Sequence, residues 1–445
     1  MKPIYVLAPF VLALSIVCLG QTEPHSIATL DAAAASLSVD EAVALALESN
    51  PEIRAAVRRL SLTQMRTNTA RSLDDPMLMM RDWDTPLRRP WDLNQAQLMV
   101  SLQQTFPSRQ KRDQRGKLAE DDADIAAFEV ETLRQEVSAE VRKTCADLMR
   151  NADEVRLQAR QSSLLKEALA AALAEYTTGN APQADVLRAQ MACTRLNEQL
   201  IELEEERDNA RAQLNVLMGR PPDEAIEIAG SNVLPASLPV IEELERIAID
   251  HRPELAALRA QITKSRDEGK LTRLGIKPDL TVGLGYMLMP SGSSSRNAYM
   301  AELSINLPQL NRARHDDEAK QADAAKEVSQ AELDARASVV YLEIRQAQVK
   351  VLAAEKRVKL YRDTLLPQAE ASFKASTAAY QNNRAEYMSL IDAQNLLLDI
   401  QTAYYKASAA TDAGMALLER AIGAPITAAT NHNPETNSNI GRRSK

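Results

Sequence analysis

The side chains best equipped for bond-making chemistry are few and scattered. Four histidines (His25, His251, His315, His432) and three cysteines (Cys18, Cys145, Cys193) are spread through 445 residues. None stands at the short paired spacing of a zinc site. No phosphate-cradling loop and no nucleophile elbow occurs. The residues thus predict no enzyme, no resident metal and no cofactor. One soft-ligand feature stands apart: Met77, Met79, Met80, Met99, Met287, Met289 and Met300 crowd two short stretches. Thioethers suit Cu(I) or Ag(I), although wall-filling or lipid-facing packing is the use that methionine more commonly serves.

The elements that position these residues are foreshadowed by composition. The chain is 45% hydrophobic and 26% charged, but only 4% aromatic with 13 Gly. That mixture suits long helices and coiled coils. A net charge of −8 argues against a nucleic-acid partner, which needs a basic surface. Lys2 followed by apolar Ile4–Leu19 and polar Gln21-Thr22-Glu23 reads as an export signal over residues 1–20. Val17 stands where lipoprotein processing needs a small residue, which argues against lipidation at Cys18. No later apolar run is long enough for a transmembrane helix, so any membrane crossing must use strands.

The chain is written twice. Asn50-Pro51-Glu52-Ile53 recurs as Arg252-Pro253-Glu254-Leu255, Phe106-Pro107 as Leu307-Pro308, and Gly219-Arg220-Pro221 as Gly423-Ala424-Pro425, each roughly 200 residues on. Residues 21–38 form an N-terminal segment, 39–225 one unit, 226–240 a linker, 241–426 the second unit and 427–445 a polar tail. Each unit reads helix, strand, strand, long helix, turn, helix. Ser38-Val39-Asp40-Glu41 has the form of a capping box at the first helix start, and the helical pattern runs on to about residue 69. The long helix from Arg109 to Tyr176 would measure about 100 Å at 1.5 Å per residue. The opening and return helices together match it. Pro367 should kink its counterpart in the second unit. Cys145 and Cys193 fall on neighbouring helices about 33 Å apart along the axis, too far for a disulfide.

Strands are expected at about 76–84, 96–106, 279–289 and 297–307. The clearer ones alternate apolar with polar or small residues, at the length of a tilted membrane strand. Taken alone, such alternation also suits a small soluble sheet packed on helices. Four strands leave two open edges, which lipid forbids. Closure therefore asks for several copies, and three would give twelve strands. The fold class is mainly α with a small β part, a trimer closing twelve strands; that these form an outer-membrane β-barrel continued by a periplasmic α-helical barrel is what a family resemblance implies.

In this order and duplicated, the capping motif, the paired Pro-Glu motifs, the Phe-Pro and Leu-Pro strand ends and the turns led by Tyr176 and Tyr380 resemble the TolC family of outer-membrane efflux proteins. The resemblance implies a homotrimeric channel-tunnel in outer-membrane lipid, extending into the periplasm and serving as the passive exit duct of a tripartite efflux system for small molecules or metal ions. Its partners would be a periplasmic adaptor (membrane fusion) protein and an inner-membrane transporter of the RND type. The hairpin tips, 176–190 and 380–394, would form the aperture and the adaptor contact. Asp392 matches a position where relatives place an aperture acid. Ser389 stands where some relatives add a second acid, and Tyr380 leads the turn. Gly179, Asp185 and Arg188 in the first tip, with Asn383 and Arg384 in the second, fall at the adaptor-contact positions. Two other readings stay open: a duct for type I protein secretion, and a periplasmic coiled-coil scaffold with no pore.

Overall fold

The computed structural model describes residues 36–83, 97–179, 182–229, 238–289, 293, 297–382, 384 and 387–426. The expected export signal, most of the N-terminal segment and linker, the polar tail and Asn383 lie outside the described residues.

The first unit opens with β1 (Ser36–Leu37) and α1 (Val39–Ser49). Ser38 caps α1 reciprocally: its hydroxyl accepts from the Glu41 backbone N–H at 3.3 Å, and its own N–H donates to the Glu41 carboxylate at 2.8 Å. Where the sequence predicts one helix to about residue 69, the chain turns at Asn50 and starts again as α2 (Pro51–Arg71). The Asn50 side-chain oxygen accepts from the N–H groups of Glu52 and Ile53 at 2.8 and 3.1 Å, and its amide donates to the Leu217 carbonyl at 2.9 Å. Pro51, with no N–H to lose, suits the first helical position.

Strands β2 (Met77–Trp83) and β3 (Gln97–Phe106) follow, then α3 (Arg109–Thr177), an unbroken 69-residue helix, and α4 (Gln183–Leu217). The short β4 (Glu227–Ile228) lies parallel to β1, a pairing that two-residue segments give no periodicity to foresee. The second unit repeats the plan as α5 (Ile241–His251), α6 (Pro253–Leu274), β5 (Leu280–Leu288), β6 (Asn297–Ile305), α7 (Arg312–Leu360), α8 (Leu366–Gln381) and α9 (Tyr387–Ile422). Between α7 and α8 runs a π-helical turn, Tyr361–Leu365. Pro367 opens α8, and the wider turn before it absorbs the lost hydrogen bond and the ring's clash with the preceding turn.

Each unit has its own core. In the first, Val39, Val43, Val141, Cys145, Leu214 and Met218 join α1, α3 and α4. In the second, Leu244, Val340, Ile344, Val351, Leu418 and Ile422 join α5, α7 and α9. Every fully buried Leu or Ile contributes about 1.5–3 kcal/mol. Burial pushes the Cys145 thiol up to about 12, against a smaller opposing effect of Arg142. Both described cysteines are free.

The four longer strands form one antiparallel sheet in the order β2-β3-β5-β6. The two units therefore meet at the β3–β5 seam, and β2 and β6 are open edges.

Candidate functional site

Period-two side-chain alternation gives the sheet two chemically distinct faces. On one lie Leu78, Met80, Val100, Leu102, Phe106, Leu280, Val282, Leu284, Tyr286, Tyr299, Leu303 and Ile305. Most are open to the surroundings: Leu284 is 66% exposed, Leu303 67% and Tyr299 90%. Water would not tolerate so large an apolar patch on a monomer without a partner or a lipid phase to cover it. Aromatic rings mark both borders. Phe106 sits at the helix end, whereas Tyr286 and Tyr299 pack edge to face at the loop end, with ring centroids 5.8 Å apart. The two borders are about 20 Å apart along the strands, the layout of interfacial girdles around an apolar band.

The other face mixes methionines with polar or small residues. Thr105 and Thr281 hydroxyls meet at 3.0 Å, and the Gln103 amide donates to the Glu302 carboxylate at 2.9 Å. Gly283 and Gly285 lie beneath them. A Cβ at Gly285 would stand 3.0 Å from the Ser101 Cβ, and one at Gly283 would stand 3.1 Å from Gln103. Close cross-strand contacts mark the concave side of a curved sheet, and glycine is what permits them on this face.

Ion pairs fasten the sheet to the shafts below. Lys111 on α3 bonds the Asp279 carboxylate at 2.9 Å and the Lys277 carbonyl at 2.7 Å. Farther down α3, Lys117 pairs with Asp267 of α6 at 2.8 Å. Burial pushes Asp267 up, but hydrogen bonds from Lys117 and Lys270 outweigh it and hold the carboxyl below its ordinary value. Asp121, beside it, is pushed up to about 6, first by burial and then by the charge on Asp267. This network escaped sequence reasoning because its members belong to different units and share no local spacing. Asp412 on α9 is likewise pushed up to about 6, by burial alone.

At the far end are the two tips where the resemblance places the aperture and docking residues. Thr178 and Gly179 close the first turn, with Gly179 at φ +77°. Asp185 and Arg188, one turn apart on α4, pair at 3.5 Å. In the second tip, Tyr380 lies in the last turn of α8, and the Arg384 N–H donates to the Ala379 carbonyl at 2.8 Å. Ser389 and Asp392 are both exposed in the first turns of α9. The side chains of Ile391 and Ala393 are buried on either side of Asp392; Ile391 packs with Leu165 of α3 and Leu196 of α4. The two hairpins thus lie side by side here, with the Asp392 carboxylate left outside the packing.

Elsewhere, a groove of about 670 Å³ between α1, α3 and α9 is lined by Glu48, Arg134, Arg142 and Arg420. No helix among the described residues is long and apolar enough to cross a membrane.

The comparisons agree with this geometry. The family model described as "Outer membrane efflux protein" matches residues 42–220 and 244–424, one match to each repeat. The chain is 24% identical over 393 residues to the cobalt-zinc-cadmium resistance protein CzcC of Cupriavidus metallidurans, covering 88% of this chain and 91% of that one. It shares its fold with the outer membrane protein VceC of Vibrio cholerae (TM-score 0.69, 19% identity, 87% of this chain and 96% of that chain). The CmeC outer membrane channel of Campylobacter jejuni is similar at TM-score 0.71 and 12% identity, covering 86% of this chain and 85% of that chain.

Proposed function

Because the chain belongs to the outer membrane efflux protein family, we propose that three copies join β2 of one sheet to β6 of the next and close a twelve-stranded barrel. The protein is an outer-membrane efflux channel of tripartite systems, reaching into the periplasm, and not an enzyme. The observation that carries the trimeric reading is the sheet itself: an apolar, girdled outer face with two unpaired edges. Each edge leaves a row of N–H and C=O groups that lipid cannot satisfy. A soluble scaffold would have no use for such a face.

Metal ions are the cargo favoured here, supported by similarity to a protein named for cobalt, zinc and cadmium resistance. The adaptor would dock on the tips around Gly179, Asp185, Arg188 and Arg384, and an RND-type transporter would supply the energy from the inner membrane. Three Asp392 carboxylates would ring the aperture, attracting cations and repelling one another unless hydrated. Opening would then be a repacking of one hairpin against the other.

Two measurements test this. Protein extracted from outer membranes should need detergent and have the mass of a trimer; a salt-soluble monomer overturns the barrel. Replacing Asp392 with Ala should weaken block of the pore by multivalent cations in planar bilayers at least several-fold. Unchanged block removes Asp392 from the constriction.

A further inference from the structure

The strand register sorts the methionines that the sequence left as one crowd. Met80 lies on the apolar face, opposite Val100. Met79, Met99, Met287 and Met300 all lie on the concave face. Met99 and Met287 are direct cross-strand partners, which places their Cβ atoms about 5 Å apart. One row nearer the helices, Met79 is opposite Ser101 and Met300 is opposite Gly285. Each therefore flanks the central pair as a diagonal neighbour, within reach of a long flexible side chain.

Two further observations point to a ligand at this place. Met99 and Ser101 are each only 1% exposed, although the strands pack on one another rather than under a helix. The Ser101 hydroxyl is buried there without a hydrogen-bond partner, which is costly unless something occupies the site.

On the reading that the concave face lines the pore, we propose that Met99 and Met287, flanked by Met79 and Met300 above the Ser101 hydroxyl, form a coordination site for a soft monovalent cation. Neutral thioethers favour Cu(I) and Ag(I) over divalent zinc or cobalt, which prefer nitrogen, oxygen or thiolate. The surrounding charge penalises a divalent ion more than a monovalent one. Arg81 aligns with Met99 on the exposed edge strand, and Glu302 sits two rows away, bonded by Gln103. Arg81 is the nearer of the two, and among the described residues no group of carboxylates is present to hold a divalent ion.

Ag(I) is the probe. The full-length trimer in detergent, in a Cys145→Ala/Cys193→Ala background to remove competing thiols, is titrated and its bound silver counted after gel filtration. One Ag(I) per chain is expected. Met99→Leu with Met287→Leu, a volume-conserving pair, should weaken binding at least tenfold, whereas Met80→Leu on the opposite face should leave it unchanged. Equal silver retention by the double variant overturns the site. Single-channel conductance separates the two readings: a conducting channel that holds no silver loses only the thioether site, and a protein that forms no channel loses the barrel on which the site rests.

Discussion

The two repeats solve one problem with different chemistry at the corner where the opening helix breaks and the return helix ends. In the first, Asn50 does the work as a neutral amide, capping α2 and tying it to the Leu217 carbonyl. In the second, Arg252 occupies the same place, 2% exposed, bonded to Glu254 at 2.6 Å and to Glu343, with Arg336 bridging both carboxylates at 2.9 and 3.1 Å. Burial pushes Glu254 up, but the two guanidiniums more than offset this and hold it below its usual range. Both corners also use a glycine with positive φ, Gly219 (φ +68°) against the Ser49 carbonyl and Gly423 (φ +75°) against His251 and Arg252. The backbone demand is shared and the side-chain answer is not. A duplicated fold conserves its turn geometry more strictly than the polar groups that satisfy it.

The largest effect should come from the charged corner. Arg252→Ala leaves two carboxylates to share Arg336 alone, and about 3–5 kcal/mol of stability should go. Asn50→Ala loses a cap and one hydrogen bond, about 1–2 kcal/mol. Denaturation of the two variants under one set of conditions checks the order, and equal losses would break the contrast. Gly219→Ala and Gly423→Ala should each cost about 1–3 kcal/mol, since both meet backbone atoms at positive φ. A large difference between them would show that the turns are not equivalent after all.

The smallest effect concerns Asp412, half-buried on α9. Its folded pKa of about 6 lies above the ordinary 3.8, so the native state holds the proton more tightly than the unfolded chain. The stabilisation is fully present below about pH 4 and is lost as pH rises through 6. Asp412→Asn should therefore raise stability by about 1–2 kcal/mol at pH 7.5 and change nothing near pH 4. Melting temperatures across that range show it; a pH-independent gain would point to packing instead.

What the sequence made legible followed from local rules. The Ser38–Glu41 box, the long Arg109–Thr177 helix and the alternation in β5 and β6 depend on neighbours within a few residues. The breaks at Asn50 and Arg252 were signalled only by Pro51 and Pro253, since helical periodicity continues across them, and what fixes them is contact with Leu217 and Glu343, far along the chain. Pro367 announced a disturbance, but whether it bends the helix or widens one turn is settled by the packing of α8 and α9. The methionines could be counted from the sequence, yet only the register divides them between the sheet's two faces.

The β3–β5 seam has a consequence for the closed ring. If β6 of one chain meets β2 of the next, every join between neighbouring hairpins, within or between chains, sets a first-half hairpin beside a second-half one. The rim then alternates six times with near-hexagonal regularity, although strict symmetry is only threefold. Substitutions in one half reappear at every other position, so one set of three hairpins can drift towards a new task while its twin keeps the wall intact.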